Sequence, residues 1–346
     1  MPISEQIHGD DGGGSDLLPE GPAAGTAAVE EHRGLDPKAL LGRYAVVITL
    51  LVMLVVFSLL RPETFFTVGN FKAIVVTQSI LIVLAIGLTI ALAAGEFDLS
   101  IASMVGFTGA LVAHLSSDLG WSPVAAVLLS LVVALLIGAI NGVVVVYFRV
   151  NSFIATLGMG TLILGVALAI TGSTVIGNLP EALTTPAREQ LFGLDLPVYY
   201  ALGLAIALWY FLEHTPLGRY VFFTGEGPEA ARLAGVRVAR IRFGALVASA
   251  FFAWLAGLLL VGQTGAADPT YGGPFLLPAF AACFLGATTI KPGRFNAWGT
   301  VVAVLLLATG TTGLQLLGAA DWVENVFNGS ALILAVTLAQ LVSRDR

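Results

Sequence analysis

Apolar residues run along this chain in long unbroken stretches, with no recurring polar face between them. Ten such stretches predict helices, at 44–60, 71–94, 99–115, 123–148, 153–171, 198–212, 241–262, 275–289, 298–314 and 324–342. A hydrocarbon core of about 30 Å takes about 20 helical residues to cross. A closed barrel, the other way to satisfy backbone polar groups in lipid, needs alternating apolar and polar residues, and that alternation is missing. The pattern predicts an all-α polytopic membrane protein of about ten transmembrane helices. The third and eighth stretches are short and rich in glycine, which marks them as candidates for broken or re-entrant helices.

Composition agrees. The 346 residues are 57% apolar and 11% charged, with mean hydropathy +0.91, whereas an ordinary soluble domain is about half apolar and a quarter charged. The charge is uneven. Residues 1–43 hold eight of the 22 acids and only three bases. This glycine-rich segment lacks the apolar material for a core and reads as a disordered cytoplasmic tail. It lacks the basic start and apolar run of a signal peptide. Residues 44–346 read as one membrane domain. With the tail inside, the cytoplasmic segments hold thirteen Lys and Arg, and the outer segments hold only Arg61, Lys72 and Arg188. That asymmetry places both termini in the cytoplasm and favours an even number of spans. A basic nucleic-acid footprint is absent.

Small residues recur every four positions at Ala134, Gly138 and Gly142, and again at Ser249, Ala253 and Gly257. Such ladders let helix backbones approach closely, either inside a bundle or across a dimer seam. An inverted repeat is also suggested. Spans two to five and seven to ten each open with a long helix followed by an acidic, glycine-containing break. The breaks are Gly95-Glu96-Phe97-Asp98 and Gly265-Ala266-Ala267-Asp268-Pro269. Inverted repeats with broken helices are common in transporters.

Catalytic chemistry finds no foothold. The four histidines have no partners at metal-ligand spacing, and no nucleophile elbow or zinc helix occurs. The lone Cys283 reads as a small packing residue. Gly225-Glu226-Gly227-Pro228-Glu229-Ala230 matches the loose dinucleotide pattern G-x-G-x-x-A, but it joins two membrane spans instead of a strand and a helix. The connector 213–240 has a better interpretation. Pro228 suits the first position of a helix and Gly235 its C′ stop. Glu229 and Arg232 stand at i,i+3, with the acid at the positive end of the helix dipole. A helix of 228–234 is marginal unless something packs on it. Docking on another protein is one reading, and resting on its own bundle is the other.

Glu229-Ala230-Ala231-x-x-x-Gly235 resembles the E-A-A-x-x-x-G loop of ABC importer permeases. More widely, 215–236 is similar to the ribose-type sugar permeases. Gly95-Glu96-Phe97-Asp98-Leu99-Ser100 resembles their G-G-x-D-L-S block. Asn141-Gly142 with Phe153-Ile154-Ala155-Thr156-Leu157-Gly158 resembles N-G … P-F-I-x-T-L-G. Asp268-Pro269 through Gly286, then Gly299-Thr300, resembles the C-terminal glycine blocks. The resemblance implies a binding-protein-dependent importer of a sugar or sugar-like solute in the bacterial inner membrane. Its partners would be cytoplasmic ABC ATPase subunits, an extracytoplasmic solute-binding protein and a second permease chain, identical or different. ATP and Mg would be bound by the partner ATPase, because this chain has no G-x-x-x-x-G-K-[ST] loop. Gly227, Pro228, Glu229, Ala230, Ala231, Arg232 and Gly235 would form the ATPase-coupling loop. The chain departs from the family at Glu96 and Ala102, which replace glycines, at Asn151-Ser152, which replaces a proline pair, and at Ala287 and Lys291-Pro292.

A sugar's route needs neutral hydrogen-bonding groups and aromatic surface, without fixed unpaired charge. The candidates are Gln78, Phe97, Asp98, Asn141 and Thr156. Helix–helix hydrogen bonding is the plainer role for the polar ones. The rival function is an ion-coupled transporter or channel that uses Glu96 and Asp98 as ligands. Against it, Glu96 reads equally as a solvated acid at a helix end, and Asp98 as a cap on the following helix.

Overall fold

A computed structural model describes the backbone of residues 37–344 and the side chains of 43–339. Most of the acidic tail, residues 1–36, lies outside the described residues. Helix α1 (Pro37–Leu60) starts inside the segment assigned to that tail and is kinked at Tyr44, where the first apolar stretch begins. The other helices are α2 (Val68–Ala93), α3 (Ser100–Ala113), α4 (Pro123–Gly142), α5 (Ser152–Thr171), α6 (Glu181–Arg188), α7 (Leu196–His214), α8 (Pro216–Glu226), α9 (Pro228–Leu233), α10 (Val238–Thr264), α11 (Leu276–Gly286), α12 (Ala297–Leu316) and α13 (Trp322–Arg344). Single π-helical turns extend α3 to Asp118 and α4 to Tyr147. Among the described residues, nine helices are long and apolar enough to cross a membrane, and the shorter Gly273–Gly286 is the tenth apolar segment. All ten predicted spans have a helix.

Their starts follow local chemistry. Thr67, Ser122, Asn151, Thr215 and Asn296 each accept a backbone N–H from the first helical turn. Such caps satisfy donors that a helix start leaves without partners. Pro123, Pro197 and Pro216 take the first or second helical position, where no N–H is needed. Between α6 and α7, a two-residue hairpin pairs β1 (Gln190–Leu191) with β2 (Leu194–Asp195). Its turn, Phe192-Gly193, holds both residues at positive φ, the requirement of a type I′ hairpin turn.

Helices α2, α3 and α10 form the centre. Residues 79–93 of α2 are all buried. Helices α1, α4, α5, α7 and α13 lie outside, and their outer faces present Leu51, Val55, Leu128, Val132, Leu162 and Ile333. With no apolar driving force against lipid, the centre is held by close approach of backbones. The first small-residue ladder serves this purpose inside the bundle. A Cβ on Gly138 would stand 2.7 Å from Ala250 Cβ. Trp254 Nε1 donates to Ser130 Oγ at 2.9 Å in the same α4–α10 seam. On the second ladder, a Cβ at Gly257 would meet Thr108 Cβ at 2.9 Å, which joins α10 to α3.

The third predicted span is one continuous helix, and the interruption lies before it, at 94–99. The eighth is short because 265–275 is largely non-helical. This segment runs down α3. Ala267 reaches Gly109, the Pro269 carbonyl abuts Gly106, and Gly272 abuts the Ala102 carbonyl. Irregular backbone at membrane depth is tolerated when protein covers it, as α3 does here. The two breaks also share one local design. Asp98 Oδ1 accepts from Ser100 N at 3.1 Å and Ser100 Oγ at 2.5 Å. Asp268 Oδ1 accepts from Thr270 N at 2.8 Å and Thr270 Oγ1 at 2.7 Å. Each break begins with a glycine at positive φ, Gly95 and Gly265.

Candidate functional site

Helix α2 ends in a Schellman turn. Gly95 N donates to Leu92 O at 3.0 Å and Glu96 N to Ala91 O at 2.9 Å. The chain then crosses 96–99 without helical hydrogen bonds, and side chains from α5 replace them. Ser152 Oγ accepts from Phe97 N at 3.1 Å and Thr156 Oγ1 from Leu99 N at 3.0 Å. Asn141 Nδ2 of α4 donates to Ser100 Oγ at 3.0 Å, which extends the Asp98–Ser100 unit. Asp98, Ser100, Asn141 and Thr156 are all buried. Asp98 Oδ2 and Ser249 Oγ of α10 are both buried without a hydrogen-bond partner.

Phe97 leaves this network and points outward, 38% exposed. Its ring stacks on Phe280 of α11 at 6.2 Å and on Phe284 at 6.3 Å, with Phe153 edge-on at 6.5 Å. Polar groups and an aromatic surface therefore meet at one break. Four of the five candidate route residues, Phe97, Asp98, Asn141 and Thr156, are brought together here.

Gln78 is not with them. It lines a separate cavity of about 190 Å³ between α2, α12, the start of α11 and the first turns of α13, together with Thr311, Glu324, Asn328, Pro278 and Phe275. Asn328 is buried there and its Oδ1 has no partner. Sequence analysis assigned no site role to Ser100, Ser152, Ser249, Asn328 or Arg242. Ser100 stands in the Gly95–Ser100 block, Ser152 in the Asn151-Ser152 departure and Ser249 in the second small-residue ladder, whereas Asn328 had no signal.

Glu96 is neither a solvated helix-end acid nor an open ion ligand. It is 1% exposed and accepts a hydrogen bond from Arg242 Nε on the first turns of α10. The rival ion-coupled reading thereby loses one of its two ligands to an ion pair. Asp98 does accept the N–H of Ser100, but α3 starts at Ser100 with Leu99 in the cap position, so Asp98 stands one residue before the cap position that the sequence predicts for it.

The second feature is α9. Pro228 opens it, and Glu229 and Arg232 pair at 3.0 Å. The helix closes in a Schellman turn. Gly235 N donates to Arg232 O and Val236 N to Ala231 O, each at 3.0 Å, with Gly235 at φ +83°. This is the local structure that the sequence predicts. Only Ala231 is buried. Leu233 is 91% exposed, which leaves an apolar side chain bare on a six-residue helix. The Gly225-x-Gly227 turn joins α8 to α9, with no strand before it.

The α9 connector and the α2–α3 break lie at the same end of the bundle. A Cβ at Gly225 of α8 would come 3.1 Å from Gly95 N. The same end holds Arg43, whose Nε donates to Ile290 O at 2.8 Å. Arg149, Arg219, Arg237, Arg240, Lys291 and Arg294 also sit on elements that begin or finish here. Arg61, Lys72 and Arg188 sit on elements at the opposite end.

Residues 70–336 match the family model described as "Branched-chain amino acid transport system / permease component". The ribose import permease protein RbsC of Escherichia coli (strain K12) is 33% identical over 309 residues, covering 86% of this chain and 94% of the relative. The autoinducer 2 import system permease protein LsrD of Photorhabdus luminescens is 32% identical over 260 residues, 73% of this chain and 78% of the relative. The D-allose transport system permease protein AlsC of Escherichia coli (strain K12) is 27% identical over 303 residues, 87% and 93%. No solved structure matches the chain. A family match across most of the helical bundle, and a 33% identical relative spanned almost end to end, make this chain a member of the transport-system permease family, in its ribose-type branch.

Proposed function

We propose that this chain is the membrane-spanning permease subunit of an ATP-driven, binding-protein-dependent importer of a sugar or sugar-like solute. The observation that carries this reading is α9: a short capped helix, anchored only by Ala231 and otherwise exposed, in a chain similar over most of its length to sugar import permeases. A six-residue helix gains little from its own hydrogen bonds. Glu229–Arg232 is an exposed pair, worth about 0.2–1 kcal/mol. A partner surface that covers Leu233 and the alanines supplies the missing packing, and a cytoplasmic ABC ATPase that binds ATP and Mg is that partner. Two permease chains and an extracytoplasmic solute-binding protein complete the complex. The basic end of the bundle, which carries α9, then faces the cytoplasm with both termini, and the membrane is the bacterial inner membrane.

The solute route runs past Phe97, Asp98, Asn141 and Thr156, with the Gln78 cavity as a second polar station. Neutral amides and hydroxyls beside stacked rings suit a polyhydroxylated solute. A zwitterionic amino acid, the cargo named in the family description, needs charged partners for both of its ends. Among Phe97, Asp98, Asn141 and Thr156 only Asp98 is ionisable, and its Oδ1 is engaged with Ser100; at the Gln78 cavity the one acid, Glu324, accepts from Gln315 Nε2 at 3.0 Å.

The test is the complex reconstituted in vesicles with its ATPase and binding protein. Expected are ATP-dependent uptake of a sugar and no uptake of leucine. Glu229→Lys should leave the permease in the membrane and abolish solute-stimulated ATP hydrolysis. Normal stimulation in that variant, or uptake driven by an ion gradient without ATP, refutes the reading.

A further inference from the structure

Glu96 and Lys291 stand where the family pattern does not call for charge, and both are paired. Arg242 Nε donates to Glu96 Oε1, and Lys291 Nζ lies 2.7 Å from Glu213 Oε2 at the end of α7. A third pair, Arg294 with Glu226 at 3.2 Å, joins the same α11–α12 loop to the end of α8. Arg294 also lies over the Phe222 ring of α8, 4.1 Å from its centroid. Two of the pairs tie the connector 213–240 to the α11–α12 loop, and the third joins the start of α10, just beyond that connector, to the α2–α3 break. The Arg294–Glu226 pair is exposed at both ends and the Lys291–Glu213 pair at its lysine, and both are of small worth. The Glu96 pair differs, because its carboxylate is buried and its Oε2 has no partner. A charge held in that condition depends on its counter-ion.

The position of this pair is what gives it a consequence. Arg242 follows α9 by nine residues, on the rigid start of α10. Glu96 precedes Phe97 and Asp98 directly. Beside it, Gly225 of α8 packs against the backbone of Ala93 and Gly95. A displacement of the α8–α9–α10 segment therefore acts on the α2–α3 break through one compact contact and one ion pair whose carboxylate is buried. We propose that Glu96–Arg242 is the link through which α9 sets the position of the Phe97–Asp98 break, so that solute passage follows ATP turnover. Both are positioning residues, since neither lines the route. The proposal rests on the reading of α9 as the ATPase-docking helix.

The experiment measures solute taken up per ATP hydrolysed by the reconstituted complex, with assembly checked by co-purification of the ATPase. Coupling between distant sites typically amounts to a factor of about five or more. Glu96→Gln is expected to lower uptake per ATP by at least about fivefold while basal hydrolysis persists. Arg242→Gln is expected to do the same, and Arg242→Lys, which keeps the charge, to retain coupling. The double variant Glu96→Gln/Arg242→Gln leaves no isolated buried charge, so it separates linkage from folding. A double variant that assembles with low uptake per ATP supports the link. One that assembles and couples as wild type overturns it, and so does one that fails to assemble, since the pair is then structural. Failure of the permease reading is distinguishable: the wild-type complex would show no ATP-driven uptake, or Glu229→Lys would leave stimulation intact.

Discussion

Gly235 offers a test in which backbone strain is separated from steric fit. It occupies φ +83°, and a Cβ added there meets nothing within 4 Å. Any effect of substitution is therefore conformational. An L-residue in the left-handed region costs about 1–2 kcal/mol relative to one in an ordinary helical conformation. Asn tolerates that region better than other side chains, and a β-branched residue resists it most. The expected order of damage is Gly235→Asn, then Gly235→Ala, then Gly235→Val. Each 1.4 kcal/mol is about tenfold in an equilibrium constant, so Gly235→Ala should reduce the population with a properly closed α9 by about five- to thirtyfold. Little offsets this locally, because α9 has six residues and one buried side chain. The assay is solute-stimulated ATP hydrolysis of the reconstituted complex as a function of ATPase concentration. A strained α9 should raise the ATPase concentration needed for half-maximal stimulation. Refutation would be a Val variant equal to wild type, or an Asn variant worse than Val. The first would remove the Schellman turn from coupling, and the second would show that φ is not the controlling variable.

Three further outcomes are expected. Asp98→Ala removes the acceptor of both Ser100 hydrogen bonds, and Asn141→Leu removes the donor from α4. Each should lower uptake in vesicles while the assembled complex still hydrolyses ATP, and wild-type uptake in both would dissolve the route assignment. Gly106→Ala drives a methyl into the Pro269 carbonyl. Overpacking of this kind costs about 1–3 kcal/mol, and the midpoint of thermal inactivation of the purified complex should fall, whereas Gly158→Ala, with open space around it, should not lower it. A reporter fused after Arg346 should be active only on the cytoplasmic side, and activity only outside the cell would reverse the topology.

The helical class, the ten apolar segments and the small capped helix α9 were legible in the order of residues because each depends on neighbours in the chain. A lipid-spanning helix needs only a continuous apolar run, and a Schellman turn only a glycine after the last turn. The two ladders, at Gly138 and at Gly257, were legible as close packing, but their partners were not, since the same spacing serves a bundle or a dimer. The candidate site was half legible. Asp98, Asn141 and Thr156 were visible as polar residues in or beside apolar runs, and their convergence with Phe97 required α4 and α5 to fold against the α2–α3 break. Gln78 has the same chemistry and fell elsewhere, because its position on α2 directs it toward α12 and α13. Glu96 shows the limit most clearly. An acid after a helix-ending glycine reads as solvated, and only tertiary packing placed Arg242, 146 residues away, against it. Sequence determines what a side chain can do within a few turns of its own backbone. Which charge is buried, and against what, depends on contacts made across the whole bundle.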